Sequence, residues 1–261
     1  GRCQACSAGK FKEGAGAGVC ISCARGKYSS VVGANSSRMC VNCPVNTFSL
    51  ANGSACAACP LNSISVEGSA NVTQCKCEAG FTGPDGGGCS SCAAGKFKNA
   101  TGRDKCIVCP QNTFSHAGSV NATGCVCDAG FTGPDGGACL ACSAGKFKAG
   151  TGAGDCTQCE KGKYSAIVGA NSSTVCLDCE ANTYSSPNNS GCNECPEDSS
   201  LEDDNVSKIC KCNAGFTGPD FGTCVQCDAG KYKNLTGNAS CAYCDENSNS
   251  SAGSTRCSCN F

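Results

Sequence analysis

Cysteine is the residue type with the most chemistry to offer in this chain of 261 residues, which carries 32 of them, every one in a close pair. Twelve pairs read CxxC and four read CxC, the latter at Cys75/Cys77, Cys125/Cys127, Cys210/Cys212 and Cys257/Cys259. A CxxC dithiol can cycle with its disulfide, and two such pairs can hold zinc in a tetrahedral thiolate site. Redox cycling needs a βαβ setting, which the Gly-, Ser- and Asn-rich intervals do not offer. Zinc is a poor account of sixteen consecutive pairs accompanied by one imidazole, His116, which sits in a turn-like Ser-His-Ala-Gly segment. Disulfide cross-linking remains. At about 12% cysteine the chain exceeds the roughly 8–10% that marks a secreted disulfide scaffold, so it belongs in an oxidising, extracellular setting.

No catalytic residue, cofactor or metal site is expected. His116 has no second imidazole to work with, and the acidic run Glu202-Asp203-Asp204 lacks the D-x-[DN]-x-[DN]-G spacing of a calcium loop. The 20 basic and 21 acidic residues are scattered, which argues against a nucleic-acid groove or an anionic membrane surface as partner. No stretch approaches the roughly 18 apolar residues of a membrane span. Gly1 is not preceded by an apolar leader, so a signal peptide is expected to have been removed or to lie upstream.

The positive chemical signal is carbohydrate attachment. Asn-x-Ser/Thr acceptors stand at Asn35, Asn52, Asn71, Asn99, Asn121, Asn171, Asn188, Asn205, Asn234, Asn238 and Asn249, and such acceptors belong on exposed loops of a secreted chain. Several recur in register: Asn35 matches Asn171, Asn52 matches Asn188, and Asn99 matches Asn234.

The elements that present these residues are set by repetition. CSAGKFK begins at Cys6 and Cys142, with the variants CAAGKFK at Cys92 and CDAGKYK at Cys227. GFTGPD recurs at Gly80, Gly130 and Gly215, and NTFS or NTYS at Asn46, Asn112 and Asn182. A long unit alternates with a short one, giving a super-repeat of about 136 residues. A ring stands five residues beyond the second cysteine of most CxxC pairs (Phe11, Tyr28, Phe48, Phe97, Phe114, Phe147, Tyr164, Tyr184, Tyr232), with Ile64 in one more. After three CxC pairs it stands at the fourth residue (Phe81, Phe131, Phe216). Each ring is expected to lie on a disulfide as one module's miniature core. Leu, Ile, Val and Phe together number only 35, so a single large core is excluded.

The order Cys92, Cys106, Cys109, Cys125, Cys127, Cys139, with CxC formed by the fourth and fifth cysteines, resembles an EGF-like module. The CxxC-x2-G-K-[FY] pieces resemble ephrin-receptor-like and tumour-necrosis-factor-receptor-like cysteine-rich repeats. The resemblance implies a small disulfide-rich fold: a linear tandem array of EGF-like modules with short β-hairpins and little or no helix. It implies the bonds Cys92–Cys109, Cys106–Cys125 and Cys127–Cys139, with Cys77–Cys89 and Cys212–Cys224 equivalent to the last. A rival scheme joins consecutive cysteines, Cys92–Cys106 and Cys109–Cys125, and six cysteines permit 15 pairings. Both schemes share Cys127–Cys139 and leave Cys3 and Cys259 without an evident partner. GFTG after a CxC is similar to the acceptor for O-linked N-acetylglucosamine in EGF-like modules, which points to Thr82, Thr132 and Thr217.

On this reading residues 1–3 end an upstream module, 4–42 form a four-cysteine repeat, and 43–89 and 90–139 are EGF-like modules. Residues 140–178 form a second four-cysteine repeat, 179–224 another EGF-like module, and 225–261 an incomplete one, so the chain is expected to continue in a longer repetitive polypeptide. The functional expectation is a structural extracellular glycoprotein, a disulfide-rigid rod or filament that associates with itself or with flanking repeats. In style the sequence is similar to the cysteine-rich proteins of algal flagellar hairs. The alternative is the ectodomain of a cell-surface receptor, an adhesion protein or a protist coat antigen.

Overall fold

The structure is a computed structural model and describes residues 4–203 and 208–259. Among them the chain forms fifteen antiparallel two-stranded hairpins in strict chain order, with no crossover. Most strands are two residues long: Lys10–Phe11 pairs with Ile21–Ser22, and Lys96–Phe97 with Ile107–Val108, in the register Lys96↔Val108 and Phe97↔Ile107. The longest hairpin joins Ser199–Asp203 to Lys208–Cys212. The described helix is confined to 3-10 turns at Ser37–Met39, Val72–Gln74, Ala122–Gly124 and Ser173–Val175. The chain divides into two compact units, residues 1–127 with 134–139, and residues 128–133 with 140–261.

Each hairpin begins with the same turn. The third residue after the opening cysteine has positive φ in all fifteen: Gly9, Gly26, Gly80, Gly95, Gly130, Gly145, Gly162, Gly215 and Gly230, then Asn46, Asn62, Asn112, Asn182 and Asn247, and Asp198. Gly takes this left-handed conformation without steric cost, and Asn and Asp tolerate it best among the others. The turn lets the chain enter the first strand with the ring as its second residue. In every CxxC pair after the first, the two residues between the cysteines then lie in the second strand. A CxxC is therefore one short strand with a disulfide at either end.

The disulfides follow from this register. Cys92 bonds Cys106 and Cys109 bonds Cys125, each with Cα atoms 5.7 Å apart, so the interlaced pairs Cys92–Cys109 and Cys106–Cys125 do not form. The reason is geometric. Pairing Phe97 with Ile107 leaves Cys106 just before the second strand, where the turn over Ala93–Lys96 returns Cys92. Cys109 lies past the other end, its N–H on the Gly95 carbonyl at 2.9 Å, and reaches forward to Cys125. A disulfide needs Cα atoms within about 4.4–6.8 Å, and the consecutive partners meet that. Cys127–Cys139, Cys77–Cys89 and Cys212–Cys224 close the GFTGPD loops. Fifteen consecutive bonds run from Cys6–Cys20 to Cys244–Cys257, enclosing 12 to 17 residue steps each.

These bonds are the core. Sixteen of the nineteen buried apolar residues are cysteines, joined by Ala34, Ala170 and Phe97. Phe97 packs on the Cys109–Cys125 bond as the sequence pattern predicts. The other rings are only half-buried, and Phe114 is 38% exposed, because a two-residue strand has too little surface to cover a ring.

Successive hairpins stack through their loops. The loop of the hairpin that follows lies on the first strand of its predecessor: Gly118 N–H donates to Cys92 O and Lys98 N–H to Ser119 O. Gly33 with Cys6, Gly169 with Cys142, and Gly253 with Cys227 repeat the first of these bonds. The contact reaches further still at Gly80, where a Cβ would sit 2.4 Å from the carbonyl oxygen of Gly118, two hairpins on. Gly80→Ala combines that clash with a φ of 82° and should cost about 1–3 kcal/mol. A lowered urea midpoint checks this, with Asn112→Gly at an equivalent turn changing little; an unshifted midpoint for Gly80→Ala would contradict the stacking.

Candidate functional site

The described residues converge on no reactive centre. No group of three or more His, Cys, Asp or Glu among them is placed to hold a metal ion. His116 is exposed and meets Phe114 edge-on at 5.1 Å. Glu202 pairs with Lys211 at 2.7 Å, while Asp204 lies outside the described residues. In the first unit an open groove of about 650 Å³ is lined by Val45, Ile64 and Val66 with Glu67 and Lys76 at hand, and neither histidine nor free thiol lines it. The features that recur in every part of the chain are instead the joints between hairpins and the loops that present asparagine.

The joint is made by the residue that follows the ring. At four such places, after Phe48 and Phe114 and after Ile64 and Asn249 where no ring stands, a serine hydroxyl donates to the first-strand carbonyl of the preceding hairpin: Ser49 to Lys27 O at 2.7 Å, Ser65 to Thr47 O at 3.1 Å, Ser115 to Lys96 O at 3.2 Å and Ser250 to Lys231 O at 2.7 Å. The Ser29 and Ser165 hydroxyls accept from Val31 N–H and Ile167 N–H of their own loops. Ser29, Ser49, Ser115 and Ser165 are almost completely buried. Where it is lysine, the ammonium does the same work over a longer reach. Lys98 Nζ donates to Phe81 O at 2.7 Å, Lys148 Nζ to Phe131 O at 2.7 Å and Lys233 Nζ to Phe216 O at 2.6 Å. Each also donates to a glycine carbonyl of its own loop, Gly102, Gly152 or Gly237.

Three lysines 2–6% exposed are unusual, because a buried ammonium must recover in hydrogen bonds the hydration it loses. Carbonyl oxygens supply it here, and they come from two successive hairpins. Burial pushes the Lys233 ammonium below the ordinary lysine range. The neighbouring strand lysines behave differently. Lys231 lies beside Asp228 at 2.9 Å and Lys163 beside Asp178 at 2.7 Å, each raised by its carboxylate partner on an exposed surface where such pairs add little stability.

Thr82, Thr132 and Thr217 belong to the same joints. Their hydroxyls donate to Asp104 O, Gly154 O and Ala239 O at 3.0–3.1 Å. A sugar on any of these oxygens would remove the donated proton, so the structure gives the three threonines a part in holding hairpins together.

Of the asparagine acceptors, Asn35, Asn52, Asn99, Asn121, Asn171, Asn188, Asn234, Asn238 and Asn249 are exposed and Asn71 is half-exposed; Asn205 lies outside the described residues. Asn71 and Asn121 cap 3-10 turns through Oδ1, which accepts from Thr73 N–H and Gly124 N–H. That use leaves Nδ2, the atom that carries a glycan, unspent. Cys259 is a free, exposed thiol, and Cys3 lies outside the described residues.

The joint residues could have been found in the sequence. GKFK, GKYK, GKYS and NTFS all place Lys or Ser directly after the ring, but read as repeat markers they say nothing of a partner one hairpin back. The contribution of the lysine joint can be measured. Lys98→Met withdraws the donor from two carbonyls and should cost about 1–3 kcal/mol, with faster amide exchange over residues 99–105. Lys96→Met, on the exposed neighbour, should change neither, and native Lys98 should resist an amine-reactive label that modifies Lys96. Equal labelling of the two would contradict the joint.

With this geometry in view, the family model described as tyrosine-protein kinase ephrin type A/B receptor-like matches residues 1–40 and 80–125. No curated protein matches the chain. The match, over about a third of the chain, and the fifteen regularly spaced disulfides fit tandem small cysteine-rich repeats of the kind found in extracellular proteins.

Proposed function

We propose that the chain is a structural extracellular glycoprotein, N-glycosylated along its loops, whose repeats associate into a rod or filament of the kind that algal flagellar hairs exemplify. The observation that carries this reading is the return of the same exposed surface at each super-repeat. Val31 and Val32 are 44% and 67% exposed, and their counterparts Ile167 and Val168 are 52% and 65% exposed. Exposed Asn35, Asn52 and Asn99 return as exposed Asn171, Asn188 and Asn234. Surfaces that bind distinct partners diverge between modules, whereas a periodic assembly is helped by equivalent contacts at every repeat. The ephrin-receptor-like match favours a second reading, the ectodomain of a receptor or adhesion protein.

Negative-stain microscopy of native material separates the two. Long fibres of regular pitch are expected, and isolated particles at every concentration would overturn self-association. Removal of N-glycans should lower the mass by several kilodaltons. Native material already at the 26.0 kDa of the bare chain would overturn glycosylation.

A further inference from the structure

We infer that the disulfide ladder makes this chain an inextensible tether, able to carry a pulling force after its hairpins have opened. Force enters at Cys6 and crosses directly to Cys20, because the bond between them bypasses the loop. It passes along Ile21–Ser22 to Cys23, crosses to Cys40, passes along Val41–Asn42 to Cys43, and continues in this way to Cys257. Each crossing spans only 5.5–5.7 Å between Cα atoms. Each interval between crossings is the one or two residues inside a CxC or CxxC.

Those intervals are already β-strand in the folded state, at about 3.4 Å per residue against a limit of about 3.6 Å, so they hold almost no slack. The oxidised path from Cys6 to Cys257 therefore cannot exceed about 220 Å, whereas the same residues without disulfides would reach about 900 Å. The longer stretches of sequence that vary between modules lie in the bypassed loops. All eleven asparagine acceptors fall between the two cysteines of a disulfide, so decoration sits off the line of force. The glycine-rich turns are spared in the same way. The inference concerns a single chain and stands whether or not chains associate.

Single-molecule stretching of the full chain, held at its two ends, tests this. In oxidising buffer the Cys6-to-Cys257 stretch should stiffen at or below about 220 Å, with no unfolding steps beyond it, and reductant should release it toward about 900 Å. The variant Cys109→Ser/Cys125→Ser opens one bypass of 16 residue steps and should lengthen the oxidised limit by about 50 Å. Oxidised chains that extend well past about 220 Å, or a variant with no added length, would overturn the tether.

Discussion

Everything in this structure depends on the strand of two residues that separates one disulfide from the next. So short a strand cannot bury a ring or supply a ladder of hydrogen bonds, and an isolated two-stranded hairpin is at best marginally stable in water. Closing a loop of about 15 residues contributes on the order of 3 kcal/mol in the chain-entropy account, which is enough to hold a hairpin that packing alone could not. The loops here enclose 12 to 17 residue steps, close to that length. With sulfur in the place of a hydrocarbon core, the remaining side chains are free to serve the surface. The exposure of Val19, Leu61 and Leu140 is acceptable for the same reason.

A cross-linked hairpin does not by itself say how the next one is placed. That information resides in the residue after the ring and in the turn before it. A serine or lysine donates back to the preceding strand, and a left-handed Gly, Asn or Asp lets the backbone turn without a clash. Lys98, Lys148 and Lys233 show how strongly position overrides residue type: a side chain usually found on the surface is buried because carbonyls from two hairpins surround its charge. The tethered ammonium leaves the joint complete with protein groups alone, through Phe81 O and Gly102 O around Lys98.

Much of this was legible in the sequence. The pairing of cysteines in CxxC and CxC, the ring at a fixed offset and the scarcity of large apolar side chains give the module, its dependence on disulfides and its short strands. The pairing was not legible for Cys92, Cys106, Cys109 and Cys125, because the EGF-like order of cysteines is compatible with both schemes and only the register of Phe97 against Ile107 separates them. Nor was the equivalence of Gly95 and Asn112 visible: one reads as a turn glycine and the other as part of an NTFS block, although φ is 76° and 60°. The rings misled in part, since Phe97 covers a disulfide while Phe114 beside it stands open to solvent. A repeat of one hairpin and one bond, rather than of six cysteines, emerges only when the second strand is seen to be the inside of CxxC.

The account rests on consecutive pairing, and the direct measurement is a disulfide map of the native protein. Digestion under non-reducing conditions with a protease that cuts at Ile107–Val108 separates Cys106 from Cys109, and mass spectrometry then identifies the linked peptides. The account predicts Cys92 joined to Cys106 and Cys109 joined to Cys125. Peptides joining Cys92 to Cys109 and Cys106 to Cys125 would contradict it.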